Sequence, residues 1–425
     1  MPATLLVVVL LALLAFSFPI FIAILAGTVL SFELLGPGMP GQVLPQRMVE
    51  GVNVFALLAV PLFIFAADII GRGQIGRRLV ELMESFVGHL RGGLAIATVL
   101  SCAFFGAISG IGAAAVVSIG PIVYPAMRRM GYSQNFTVGL ILSASTLAML
   151  IPPGVAMIIY AVQTSNSVAQ VFLAGLCAGV VFVLFLSAWA YIYARRTGIA
   201  TQERVPIPER LRRLKQAGWA LGLPAVIFGG IYGGVFTPTE AAAVACVYAA
   251  LVEVLVYRQL SLWDLLKITR PSAIMIAALL ILISAGSLMS WFLTVENVPS
   301  QIASILDGVP SGAVLAMINA LFLVAGMFID PNSAVIILAP LIHPTVTALG
   351  LDGVHLGAVI VFNLAIGMIT PPFGLNIFIA IPTFRISYMD AVKGVLPFIL
   401  ISLIVLALIT YVPVLTTWLP ALTHG

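Results

Sequence analysis

Apolar runs of about twenty residues follow one another along this chain, and its charges gather in the short stretches between them. As a helix each run covers roughly 30 Å, the thickness of a bilayer's hydrocarbon core. The pattern predicts an all-α polytopic membrane protein. Residues 5–30 form the first run, with no Lys or Arg before it. A cleavable leader needs a basic start and a shorter apolar core, so a permanent span is predicted. Residues 54–71 form the next and end at Arg72. The stretch QIGRRLVELMESFVGHL differs, because Leu79, Leu82, Met83, Phe86 and Leu90 recur there at helical spacing among charges. It predicts an amphipathic helix lying in the membrane interface.

Residues 92–127 start and finish beside arginines, Arg91 and Arg128, and their middle, AISGIGAAA, is small and polar. Two thin spans fit that length. A re-entrant hairpin fits the composition of the tip better, since irregular backbone at membrane depth needs small residues and protein cover. Residues 133–165 then cross outward, interrupted at IPPG, and residues 167–194 return to Arg195 and Arg196. A basic connector and two linking spans, 217–236 and 239–257, precede a second set of runs.

That second set repeats the first without an insertion. Gly93, Pro121, Pro125, Gly131, Pro152, Pro153, Ala161 and Gly175 recur 219 residues on, as Gly312, Pro340, Pro344, Gly350, Pro371, Pro372, Ala380 and Gly394. Proline and glycine fix backbone shape, so the repeated quantity is geometry. The charges do not repeat: Arg72, Arg77, Arg78, Arg91, Arg128, Arg129, Arg195 and Arg196 all align with uncharged or acidic residues, and Arg385 and Lys393 align with Asn166 and Ala174. Basic residues mark the cytoplasmic side, so the copies are expected upside down relative to one another. Inverted-topology repeats with re-entrant helical hairpins and split transmembrane helices belong to secondary transporters.

The divisions expected are 1–50, a first span and loop; 51–197, repeat one; 198–269, connector and linking spans; 270–416, repeat two, inverted; and 417–425, a tail. Repeat two carries an acidic connector (Glu296, Asp307), a hairpin tip FIDPNSA and an interruption ITPPFG. The path places the N-terminus in the cytoplasm and the C-terminus outside.

Composition narrows the classes further. With 62% apolar and 8% charged residues, no soluble domain remains, and the net charge of +4 is spread over loop ends. No nucleic-acid surface is expected from so scattered a charge. Cys102, Cys177 and Cys246 lie in apolar runs without metal-ligand spacing and read as packing residues. No nucleophile with a base is grouped at the interruptions, so an enzyme is not expected.

The chemistry should sit at the interruptions. A double proline removes two backbone donors and bars helix at the residue before it, here Ile151 and Thr370. Freed carbonyls and amides cost several kcal/mol in lipid unless they face protein, water or an ion. Half-helices offer carbonyls to cations and amides to anions, so no fixed charge is required. Ser109, Asn332, Ser333, Thr370 and Asn376 are the nearby hydroxyl and amide candidates. With carbonyls they make oxygen cages suited to a hard cation such as sodium. Asp330 stands at a hairpin tip, where two roles are open: ion binding, or capping of the second arm with Pro331 at its first position. Asp68 reads as an interfacial residue, and His343 as a packing histidine. Thr237 and Glu240 of TPTEAAAVA form a capping box.

VPLFIFAADII, FGAISG, IPPGVAMIIYAVQT, TPTEAAAVA, FIDPNSAVIILAP and TPPFGLN together resemble the large membrane subunit, or M subunit, of tripartite ATP-independent periplasmic (TRAP) transporters, over essentially the whole chain. The resemblance implies an elevator-type carrier of the bacterial inner membrane, coupled to Na+ and taking up an organic acid such as a C4-dicarboxylate or sialic acid. It implies two partners, a small four-helix membrane subunit and a periplasmic solute-binding protein. Carried over by residue, one sodium site involves Ser109, Gly110, Gly112, Pro152 and Gly154, and the other Asp330, Asn332, Thr370 and Gly374. Solute is implied between them, at Ser109, Gly110, Gly154, Asn332, Pro372 and Asn376. The chain reads SGIG and IPPG where SGSS and IPPS are usual, so Gly112 and Gly154 leave only carbonyls or water at the first ion site. A proton-coupled organic anion carrier working without a binding protein, or a gated channel, are the rival functions.

Overall fold

Proline and glycine decide where the helices of this chain end. The computed structural model describes residues 2–35, 41–306 and 308–422, and every regular element among them is helical. Asp307 of the acidic connector and the last three residues of the expected tail lie outside the described residues.

The run read as one span is two helices, α1 (Pro2–Ala15) and α2 (Ile20–Leu35). Pro19 and the left-handed Ser17 (φ 62°) turn the chain back, and Gly27 lies against the backbone of Leu6 and Leu10. At about 1.5 Å per residue neither helix reaches across a bilayer. The apolar run is long enough for one crossing, but a proline in its middle wins. Next come α3 (Val43–Val52) and α4 (Ala59–Gly71), bent by 60° about a short turn at Phe55–Leu58.

The amphipathic connector forms α5 (Ile75–Val87) as expected. It buries Leu79, Leu82 and Met83 and leaves Phe86 and Leu90 about two-fifths exposed, so its apolar stripe serves partly the protein and partly the outside. The first hairpin follows as α6 (Gly93–Ser109) and α7 (Gly112–Arg129). Its arms run antiparallel, with the Thr98 hydroxyl 3.9 Å from the Met127 sulfur. Then α8 (Gln134–Ser145), the single turn α9 (Leu147–Leu150) and α10 (Val155–Gln163) form a run bent by 41° at the double proline. The long α11 (Val168–Thr197) closes this half of the chain.

Two linking helices, α12 (Ile207–Tyr232) and α13 (Pro238–Leu251), join the halves. On the exposed start of α12, hydrogen bonds from Arg212 and Arg213 hold the Glu209 carboxyl below its usual range. Thr237 and Glu240 make the expected capping box at the start of α13. A π-helical turn, Val252–Val256, extends α13 and carries Glu253.

The second half consists of α14 (Leu262–Val295), α15 (Val298–Leu306), the hairpin α16 (Ser311–Phe328) and α17 (Pro331–Ala348), the opened pair α18 (Gly353–Gly367) and α19 (Leu375–Phe384), α20 (Tyr388–Tyr411), and α21 (Val414–Leu422). Helix α17 begins and ends 219 residues after α7, and α18 begins 219 after α8. The register of the sequence repeat is therefore kept in the folded chain. The copies differ where a helix is broken: α14 is continuous while its counterpart is split into α3 and α4, and α11 is continuous while its counterpart is split into α20 and α21.

Corresponding helices α11 and α20 run in opposite directions. The ring of Phe136, at the start of α8, stacks on Tyr193 near the end of α11 (3.7 Å between centroids) and meets Phe398 in the first half of α20 (5.5 Å). At the other end of the molecule Cys177, early in α11, bonds to the backbone of Leu419, beyond α20. Among the described residues five helices are long and apolar enough to cross a membrane, or seven when each bent pair counts as one. One of the five is the hairpin arm α16, and shorter apolar helices include α1, α6, α18 and α19.

Candidate functional site

The two hairpin tips and both opened helices converge on one cavity. It measures about 200 Å³ and is lined by Gly110, Ile111, Gly112 and Ala113 from the first tip and Asp330, Pro331 and Asn332 from the second. Met149, Val155 and Ala156 flank it from the first opening, Met368 and Leu375 from the second, and Ile64 and Met275 close it from α4 and α14. That volume holds roughly six or seven waters at about 30 Å³ each, or one compact organic solute. Asp330 is the sole ionisable residue of this lining among the described residues.

The first tip is built on Gly110. Its φ of +63° is the left-handed turn between α6 and α7, and a Cβ there would lie 2.0 Å from the carbonyl oxygen of Pro153. Only glycine lets the tip seat on the opened helix. Ser109 is fully buried, with Oγ 3.5 Å from the Ile111 amide. Pro152 and Gly154 are buried behind the tip, and a Cβ on Gly154 would come within 2.4 Å of the Met149 carbonyl. The Pro152–Pro153 and Pro371–Pro372 bonds are both cis.

The second tip turns through Asp330, which caps α17. Its Oδ2 accepts from the Ser333 amide at 3.1 Å, and its Oδ1 accepts from the Ser333 hydroxyl. Capping is thus met in full while the residue still faces the cavity. At the second opening the Gly374 amide donates to the Met327 carbonyl at 3.2 Å, fastening this hairpin to the break. The Thr370 hydroxyl, just past the end of α18, donates to the Ile366 carbonyl at 2.7 Å. Pro372 lies at the exposed edge, its carbonyl accepting from Tyr388 at 2.6 Å, and does not line the cavity.

Asn376 joins the two halves. Completely buried, it donates from Nδ2 to Ser145 Oγ at 3.0 Å, while its Oδ1 has no hydrogen-bond partner. The space a Cβ would take on Gly112 lies 3.7 Å from this amide nitrogen and 3.2 Å from the Ser145 carbonyl. An unpaired buried amide oxygen is costly, so Asn376 Oδ1 marks a place where something polar should bind. Of the residues named from sequence, Gly110, Gly112, Asp330 and Asn332 line the cavity; Ser109, Pro152, Gly154, Thr370, Gly374 and Asn376 support it from behind. Sequence reasoning passed over Ser145, Met149, Ile64 and Met275. Ser145 carried a signal, since SAST puts three hydroxyls into an otherwise apolar run just before the break.

Other singled-out residues find partners elsewhere. Asp68 accepts from the Ser272 hydroxyl of α14, so it ties α4 to its neighbour rather than facing the interface alone. His343 is half-buried with Nε2 3.0 Å from the Asn166 amide. Glu253, unnoticed in the sequence, is fully buried and accepts from the Gln74 and Ile75 amides at 3.1 and 3.2 Å, capping α5 from α13.

A helical chain that opens two helices against two hairpins around one cavity is built as a membrane solute carrier. The chain belongs to the family described as "Tripartite ATP-independent periplasmic transporter, DctM component", whose profile matches residues 7–415. It is 42% identical, over 96% of both chains, to the ectoine/5-hydroxyectoine TRAP transporter large permease protein UehC of Ruegeria pomeroyi. It is 39% identical, over 88% of both, to the C4-dicarboxylate TRAP transporter large permease protein DctM of Pseudomonas aeruginosa. Its fold matches the YdaH transporter of Alcanivorax borkumensis with a TM-score of 0.63 and 16% identity, over 89% of both chains. The protein is a TRAP transporter large permease subunit, of a family that works with a small membrane subunit and a periplasmic binding protein.

Proposed function

We propose that this subunit catalyses sodium-coupled uptake of a carboxylate-bearing organic solute across a bacterial inner membrane, the solute being handed over by a periplasmic binding protein. The observation that carries the proposal is the convergence of both tips and both openings on one cavity that is supplied with oxygen acceptors from its lining and from the residues behind it. Sodium, as co-transported cargo, prefers such hard oxygen donors. The carbonyl of Met149, left without its usual helical partner because residue 153 is a proline, and the unpaired Asn376 Oδ1 are of that kind. At the first site, where Gly112 and Gly154 lack hydroxyls, the Ser145 carbonyl faces the position a longer side chain would fill. A solute carboxylate would take the amide ends of the hairpin arms and half-helices, which favour negative charge.

The opposed directions of α11 and α20 support inverted repeats, and with them an elevator motion. In that motion the hairpins and opened helices slide as one body past α4, α14 and the linking helices. Each net charge moved inward through 100 mV adds about 2.3 kcal/mol of driving force.

Reconstitution of the chain with its small subunit and binding protein tests the proposal. Uptake of ectoine or a C4-dicarboxylate should require an inward sodium gradient and the binding protein. Uptake driven by a proton gradient without sodium would support the proton-coupled rival, and flux without the binding protein that ignores solute on the far side would indicate a channel.

A further inference from the structure

Helix α14 passes the central cavity at Met275 and, three to four turns on, borders a second pocket of about 300 Å³. Its walls are polar: Arg47 and Glu50 from α3, Ser287, Ser290 and Trp291 from α14, and Gln163 from the end of α10. The pocket holds one charge of each sign. Arg47 Nη1 donates to Glu50 Oε2 at 2.8 Å, its guanidinium carbon lies 5.5 Å from the centre of the Trp291 ring, and its Nε is buried with no hydrogen-bond partner.

We propose that this pocket is an outer waiting site for a zwitterionic solute, one bearing a carboxylate and a cationic nitrogen. The inference rests on the carrier reading given above and names the solute class. The unused Nε–H and the charge of Arg47 suit a carboxylate, and a charge-assisted bond there would satisfy the orphaned donor. The negative charge of Glu50, whose Oε2 accepts from Arg47 and whose Oε1 accepts from Gln46 Nε2 at 2.9 Å, and the indole face suit a delocalised cation. A solute with two carboxylates would set its second against Glu50, so the pair selects against dianions.

Position fits a waiting site. Gln163 lies eight residues along α10 from Val155, which lines the central cavity, a distance of about 12 Å on a helix. The pocket is shared between α10 and the pair α3 and α14. Movement of α10 in the elevator would dismantle it, so the waiting site exists only before the solute is carried inward.

The reconstituted three-component system tests this with ectoine, a zwitterion, and succinate, a dianion. Arg47→Gln should raise the half-saturating concentration for ectoine about tenfold with little change in maximal rate, and Arg47→Lys should recover most of it. Glu50→Gln should weaken ectoine and improve succinate, opposite effects that a general loss of structure would not give. Ectoine titrated into the purified chain should also change its tryptophan fluorescence, a change lost in Trp291→Phe and absent with succinate. Unaltered ectoine kinetics in both charge variants would overturn the proposal, as would an Arg47→Gln effect that follows the phosphatidylglycerol content of the vesicles, which would assign the pocket to a lipid headgroup. The fluorescence readout does not need transport. Its failure sinks the waiting site alone, and its success without sodium-driven uptake sinks the coupling alone.

Discussion

Asn376, in the first turn of α19, donates to Ser145, the last residue of α8, across 3.0 Å, although the two are 231 residues apart. Each belongs to a different copy of the repeat and stands beside a different opened helix. The bond therefore closes the central cavity from behind, and it leaves Asn376 Oδ1 as the free acceptor. Asn376→Ala should lower solute uptake about tenfold or more, the loss of one buried hydrogen-bonding group of about 1–3 kcal/mol. In that background Ser145→Ala should add little, because the two act as a pair. Uptake assays on the four proteins of the cycle measure the coupling, and simple additivity would show that the residues act apart.

Gly110→Ala should reduce thermal stability and abolish uptake, since the added carbon meets the Pro153 carbonyl at 2.0 Å. Gly198→Ala is the control. Its φ of +68° is equally left-handed, but nothing lies within 4 Å, so it should cost only the backbone penalty of about 1–2 kcal/mol. Equal melting temperatures for the two variants would show that the tip does not depend on its seat.

Much of this arrangement was legible because proline and glycine state backbone shape directly. The double prolines, the tip glycines and Asp330 all lie where the repeat puts them. Side chains whose partners are distant in sequence were not legible. Ser145 also bonds back to Leu142 at 2.6 Å, the habit of any serine in an apolar helix, and its tie to Asn376 crosses 231 residues. Glu253 has no partner near it along the chain, and only folding brings Gln74 and Ile75 to it. The split at Pro19 was written in the sequence, but an apolar run of sufficient length outweighed it.

Asp330→Asn should separate the two duties of that residue. Asparagine caps a helix about as well, so the melting temperature should hold while the sodium dependence of uptake shifts to higher concentration. Asp330→Ala should lose both stability and uptake. A variant with unchanged sodium dependence would leave Asp330 as a cap alone.

Glu253→Gln should destabilise the protein by about 1–3 kcal/mol, because a neutral amide replaces a buried carboxylate that accepts from two backbone amides. Thermal unfolding measures the loss. The first turn of α5 should also exchange its amide hydrogens faster, since its cap is weakened; unchanged exchange there would mean that α5 is held by its apolar face alone.

The central claim is that both tips embrace the same solute. Single cysteines at Ala113 and Asn332, which line the cavity from opposite hairpins, can be labelled with a membrane-permeant thiol reagent in the reconstituted complex, the native cysteines having been replaced. Solute together with sodium should slow labelling at both positions by about tenfold relative to sodium-free buffer. Protection at one position only, or at neither, would contradict a shared site.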